Sequence, residues 1–237
     1  MAASAIHFPF EPGETHTIGE LRDFERKLSF ARQNDDDLSK AWRIPATDEM
    51  KRWCKIREET YPIKLLAEHQ KYSDDMTFRL MPYGHPTVDA EITSATESFN
   101  IQITIADPSW TGEDGLTQHG GYDHRLVMEE LNKSGMVLGS AGMRRENGKI
   151  VSGMPVKSFE QEFEGCRQGL VTALQRKLER GVRGCRLLIH ARGYDLHTMD
   201  FSFEDVAKSA IGQMKNEISK SAFEAYYIVD EKGNYFS

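Results

Sequence analysis

Residues 88–108, VDAEITSATESFNIQITIADP, crowd oxygen-bearing side chains onto what reads as two short strands. Side chains alternate faces along a strand. In VDAEI the apolar Val88, Ala90 and Ile92 therefore point one way, and Asp89 and Glu91 the other. In FNIQITIA the apolar face is Phe99, Ile101, Ile103 and Ile105, opposite Asn100, Gln102 and Thr104. Paired as a hairpin across TSATES, the strands set Asp89, Glu91, Gln102 and Thr104 on one face. A carboxylate, an amide oxygen and the Ile103 carbonyl are ligands of the kind that a hard divalent cation takes. Any half-buried hairpin shows water the same alternation, so the pattern leaves a metal site and a solvated face both open.

Cations cluster further along. Arg176, Lys177, Arg180 and Arg183 gather at the end of one helical pattern, and Arg144 and Arg145 lie in the arm of a hairpin closed by Asn147-Gly148. Such a stripe can contact phosphates, although glutamates at a helix start and cations at its end also suit the helix dipole. The net charge is -7, so a polyanion would have to be met by local clustering of this sort. In QHGGYDHR, His119, Asp123 and His124 offer imidazole and carboxylate, but at no zinc spacing, and a turn and cap explain them as well. His190, in LLIHAR, reads as a packed core histidine. There is no GxxxxGK[ST] loop, no GxGxxG, no HExxH and no GxSxG, so the commonest nucleotide, zinc-protease and hydrolase readings lack support.

The elements that must position these residues follow from local signals. With 237 residues, 39% of them hydrophobic and 28% charged, the chain has the balance of one globular core. Cys54, Cys166 and Cys185 are scattered and odd in number, which predicts reduced packing residues. No apolar run approaches the roughly 20 residues of a bilayer span. The opening MAASAIHFPFEPGE lacks a signal peptide's basic flank and apolar stretch, and the expectation is a cytoplasmic protein with no membrane partner.

Thr17 with Glu20 predicts a capped helix, and Thr47 starts a second one that Pro62 is expected to kink or break. Three short β-rich runs from Met76 predict a meander. A Gly-rich region at about 107–157 reads as an insertion. Beyond it come a long helix from Phe159, the strand CRLLIHA, a helix capped by Ser202 and Asp205, and the strand FEAYYIVD. Strands joined through helices pair in parallel, which predicts an α/β fold with a mixed β-sheet: a three-strand meander plus helix-connected strands, flanked by helices. Residues 1–46 read as an N-terminal arm and helix, and 47–237 as a single α/β core domain.

An acidic residue on one strand, Gln102 in an apolar run on the next, then helix, strand, helix and strand resemble the PD-(D/E)XK, or restriction-endonuclease-like, nuclease superfamily. The resemblance covers roughly 48–106 and 158–230. It implies a Mg²⁺ (or Mn²⁺) site with Asp89 or Glu91 as first ligand, Gln102 as second and Glu68 or Glu59 as the helix carboxylate. The family's lysine position holds Thr104, and Lys177 or Arg176 on the following helix is implied in its place. DNA is the implied partner, with Arg144, Arg145, Arg176, Lys177, Arg180 and Arg183 on its phosphates. The departure at Thr104, with the net acidity, keeps a second expectation open. In it a non-cleaving member of the fold meets a protein partner through the Gly-rich insertion or the N-terminal helices.

Overall fold

Thr17 ends a short strand, β1 (Thr15–Thr17), and begins a helix, α1 (Ile18–Asn34), in the same step. Its hydroxyl accepts the Glu20 amide while the Glu20 carboxylate accepts the Thr17 amide, which satisfies two of the donors that a helix start leaves open. The structure is a computed structural model that describes residues 8–35, 47–82, 88–111, 117–119, 143–146, 149–152, 159–179, 183–194 and 201–237.

Thr47 caps α2 (Asp48–His69), with Asp48 and Glu49 in its first turn. The helix runs through Pro62, where the sequence suggested an interruption. Proline removes one backbone hydrogen bond, but Ile56, Ile63 and Leu66 are buried on either side of it and hold the helix down. The meander follows as β2 (Thr77–Leu80), β3 (Ala90–Thr93) and β4 (Ser98–Ala106), all antiparallel. Two small antiparallel pairs come next, β5 (Ser109–Thr111) with β6 (Thr117–His119) and β7 (Met143–Glu146) with β8 (Lys149–Ser152). Then come α3 (Phe159–Leu178), β9 (Cys185–Ala191), α4 (Phe203–Gln213), α5 (Lys215–Ser219), β10 (Ala225–Asp230) and β11 (Tyr235–Phe236). Ser202 and Asp205 form the capping box of α4.

Seven strands make one mixed sheet in the order β1-β2-β3-β4-β9-β10-β11. The two parallel pairs, β4 with β9 and β9 with β10, are each joined through a helical crossover. Alternation divides the sheet between two cores. Phe99, Ile101, Ile103 and Leu188 face α1 and α2, whereas Ala106, Leu187 and Ile189 face α3 and α4. Phe8 and Phe10 are buried in the first core, so the N-terminal segment and β1 belong to the same packed unit as the sheet. Cys166 and Cys185 are buried, and neither they nor Cys54 forms a disulfide. Among the described residues no helix is long and apolar enough to cross a membrane.

Candidate functional site

Asp89 stands where β3 and β4 part. The ladder between them runs from Thr93 and Ser98 to Ala90 and Ile101. One step further the Asp89 amide still donates to the Ile101 carbonyl at 2.9 Å, and its carbonyl accepts the Met81 amide at 2.9 Å. The next donor on β4, the Ile103 amide, is met by a side chain instead, bonding Asp89 Oδ2 at 2.6 Å. β4 goes on to Ala106 against β9. The carboxylate thus closes the ladder and marks a fork in the sheet.

A helix on the α3 face supplies the cation. Gly169 brings α3 against the end of β4: a β-carbon there would overlap the Asp107 carbonyl and lie 2.7 Å from the Tyr194 hydroxyl. From that contact helix and strand run in opposite senses, since Arg176 already reaches the Ile105 carbonyl, at 3.4 Å. Eight residues of helix from Gly169 rise about 12 Å, close to the roughly 16 Å of strand that leads back from Asp107 to Gln102. Lys177 is thereby carried to the fork, its Nζ 3.6 Å from Asp89 Oδ2. Gln102 is on the same α3 face of β4, between the inward-facing Ile101 and Ile103, and is only 6% exposed.

Glu59 approaches from α2. Burial, and then the charge of Asp89, push its carboxyl up to about 7, while Lys55 and Lys177 pull the other way. Glu59, Asp89 and Lys177 therefore share one electrostatic field, and a proton or a cation is what Glu59 lacks at neutral pH. Two carboxylates beside an amide side chain suit a hard divalent cation such as Mg²⁺ or Mn²⁺. Among the described residues no group of three or more histidines, cysteines, aspartates or glutamates gathers as a metal site, so backbone carbonyls and water would complete the shell.

The other residues singled out in the sequence fall elsewhere. Glu91 accepts from Arg79 at 2.8 Å and from the Ser98 hydroxyl at 3.0 Å, and these bonds hold its carboxyl below the usual range. Glu68 is exposed and pairs with Lys64 at 2.9 Å. Nine residues separate it from Glu59, about 13 Å along the axis and half a turn around it, so α2 cannot present both to the fork. The structure thus corrects the placement of Glu68 beside Asp89. Arg183 is exposed in the turn before β9. Arg144 and Arg145 lie on β7, but their side chains, with Arg180, Asp123, His124 and the side chain of His119, lie outside the described residues.

A second polar cluster went unread in the sequence. The Arg192 guanidinium donates twice to Asp107, at 2.8 and 2.9 Å, and once to Glu58, at 3.1 Å. These partners stand 85 and 134 positions away, beyond any local pattern. His190 is 5% exposed, its Nε2 has no hydrogen-bond partner, and burial with the nearby Arg192 charge drives its pKa down to about 4. Compared with family models, curated proteins and solved structures, the chain matches none.

Proposed function

We propose that the chain is a Mg²⁺- or Mn²⁺-dependent nuclease with a restriction-endonuclease-like core, its centre built from Glu59, Asp89, Gln102 and Lys177. The contact of 3.6 Å between Lys177 and Asp89 carries this reading. It supplies, from α3, the ammonium group that Thr104 cannot supply from β4. The element order α2, β2-β3-β4, α3, β9 with β4 and β9 parallel is the frame that the resemblance implies.

Asp89 Oδ2 is taken by Ile103 and Lys177, which leaves Oδ1 to face a cation. Glu59 adds a carboxylate whose raised pKa is relieved when a cation arrives. Gln102 offers its amide from a buried position on the same face. Glu59, Asp89 and Gln102 would hold the metal, and the chemistry it would supply is polarisation of a phosphodiester and a more acidic water. Lys177 orients the attacking water and balances charge developing on the phosphate.

A second reading has an observation of its own. Asp89 already closes a β-ladder, and its pair with Lys177 would serve that purpose in a protein that cleaves nothing and binds a protein partner. One experiment separates the two. Purified protein is incubated with plasmid and with single-stranded DNA in Mg²⁺ or Mn²⁺. Cleavage abolished in Asp89→Ala and kept in Glu68→Ala supports the nuclease. Absence of cutting by the wild type, or equal cutting by Asp89→Ala, rejects it.

A further inference from the structure

The two N-terminal helices carry the same spacing on facing sides. On α1, Arg22, Arg26, Ser29 and Gln33 recur at intervals of four, three and four, and on α2 so do Arg57, Tyr61, Lys64 and Glu68. That rhythm keeps each set on one helical face. The two faces form the walls of an open groove of about 830 Å³. The helices run antiparallel, because Arg57 meets Glu25 in mid-α1 while Arg22, near the start of α1, reaches the Ala67 carbonyl near the end of α2. Eleven residue-to-residue steps make such walls about 16 Å long.

The sign of the groove opposes that of the chain. Arg32 joins Arg22, Arg26, Arg57 and Lys64 there, five cations against the lining carboxylates of Glu25 and Glu68 and, at the edge, Asp74 and Asp23, which pair with Arg22 and Arg26, in a protein of net charge -7. Four of the five are arginines, whose planar forks match phosphate oxygens. The floor is rigid: Arg57 donates to both oxygens of Glu25, at 2.8 and 2.7 Å, and lies 4.5 Å over the Tyr61 ring. The rim is exchangeable. Arg26 pairs with Asp23 and Lys64 with Glu68 within their own helices, and surface pairs of this kind are worth less than about 1 kcal/mol. A phosphate can displace them at small cost. Phe30, 69% exposed at the groove, offers an uncovered ring.

We infer that this groove binds a single strand of nucleic acid, its phosphates along the arginine-bearing walls and a base stacked on Phe30. Walls about 16 Å long run beside only a few phosphates of one strand. Helices packed about 8–10 Å apart leave a trough for one strand and too little room for a duplex. An open cationic track beside an aromatic face is how proteins hold single strands without reading sequence. Glu59 and Tyr61 lie about 200° apart around α2, so groove and metal centre occupy opposite flanks, and this inference does not rest on the nuclease reading.

The test is fluorescence anisotropy with a short labelled oligothymidylate in EDTA, where the metal centre is silent. The wild type binds, and its affinity falls with salt. Arg26→Glu with Arg32→Glu weakens binding at least tenfold and flattens the log–log salt slope by about 0.7 for each phosphate that the variant no longer neutralises. Phe30→Ala weakens it about 5- to 100-fold with the slope unchanged, as removal of a stacking ring requires. All three positions are at the surface, and a thermal melt confirms that each variant folds. No binding by the wild type, equal binding by the variants, tighter binding of the matching duplex, or equal displacement by polyglutamate overturns the inference. Loss of cleavage with binding intact counts only against the metal centre.

Discussion

Gly169 and the Asp107 carbonyl touch so closely that no side chain fits between α3 and the end of β4. The contact fixes the height of α3 on the sheet, and with it the position of Lys177 two turns on. Gly169→Ala should push the helix outward and cost about 1–3 kcal/mol in urea unfolding, the usual range for overpacking. It should also abolish metal-dependent stabilisation, because Lys177 and Asp89 part. Unchanged stability with an unchanged metal response would show that the approach is loose.

Lys177→Met tests the chemistry apart from the fold. The pair with Asp89 is partly exposed, so its removal should change stability by no more than about 1 kcal/mol. Cleavage should fall on the order of a hundredfold or more if the ammonium assists proton movement at the attacking water. Lys177→Arg keeps the charge and should retain part of the rate. A Met variant that cuts at the wild-type rate would leave the pair a structural role only.

What the sequence disclosed was local, and what it concealed depended on helix phase and distant pairing. The starts of α1 and α4 were legible because Thr17 with Glu20, and Ser202 with Asp205, are partners three residues apart. Alternation in β4 set Gln102 opposite Ile101 and Ile103. The choice between Glu59 and Glu68 was not legible, since it depends on which side of α2 the sheet occupies. Asp89 as the end of a ladder needs Ile103, fourteen residues on, and Lys177 needs the Gly169 contact to set its height. β1 and β11, three and two residues long, are too short to carry a period.

The groove floor makes its own prediction. Glu25 is 5% exposed and held by Arg57. Arg57→Met strands that charge and should cost about 3–5 kcal/mol, the usual penalty for breaking a buried pair. Adding Glu25→Leu should restore stability to near the wild-type value, because apolar packing replaces such pairs at little cost. Chemical denaturation of both single variants and the double variant reads the result. Additive losses would mean that the two residues do not act as a pair.

The last prediction sets two titrations against each other in metal-free protein. Glu59 is raised to about 7 by burial and by Asp89, from an unfolded value near 4.3. The unfolded chain releases this proton first, so stability falls as pH rises from about 4.5 to 7. His190 is lowered to about 4 by burial, with Arg192 and Arg57 reinforcing the shift and Asp107 opposing it, while Tyr61 packs on its ring. The unfolded chain takes up that proton first, so stability falls as pH drops from about 6.5 toward 4. Between about 4.5 and 6.5 the two slopes oppose. Glu59→Gln should leave His190 uncompensated and lose on the order of 1 kcal/mol more than wild type on acidification across that window, after allowing for solvent screening at the partly exposed Glu59. His190→Leu should show the reverse tilt, about 2 kcal/mol relative to wild type, because the group removed is buried. Urea midpoints at several pH values in EDTA report the tilts, which are compared as differences from wild type. If all three proteins trace parallel curves, neither group carries a shifted proton.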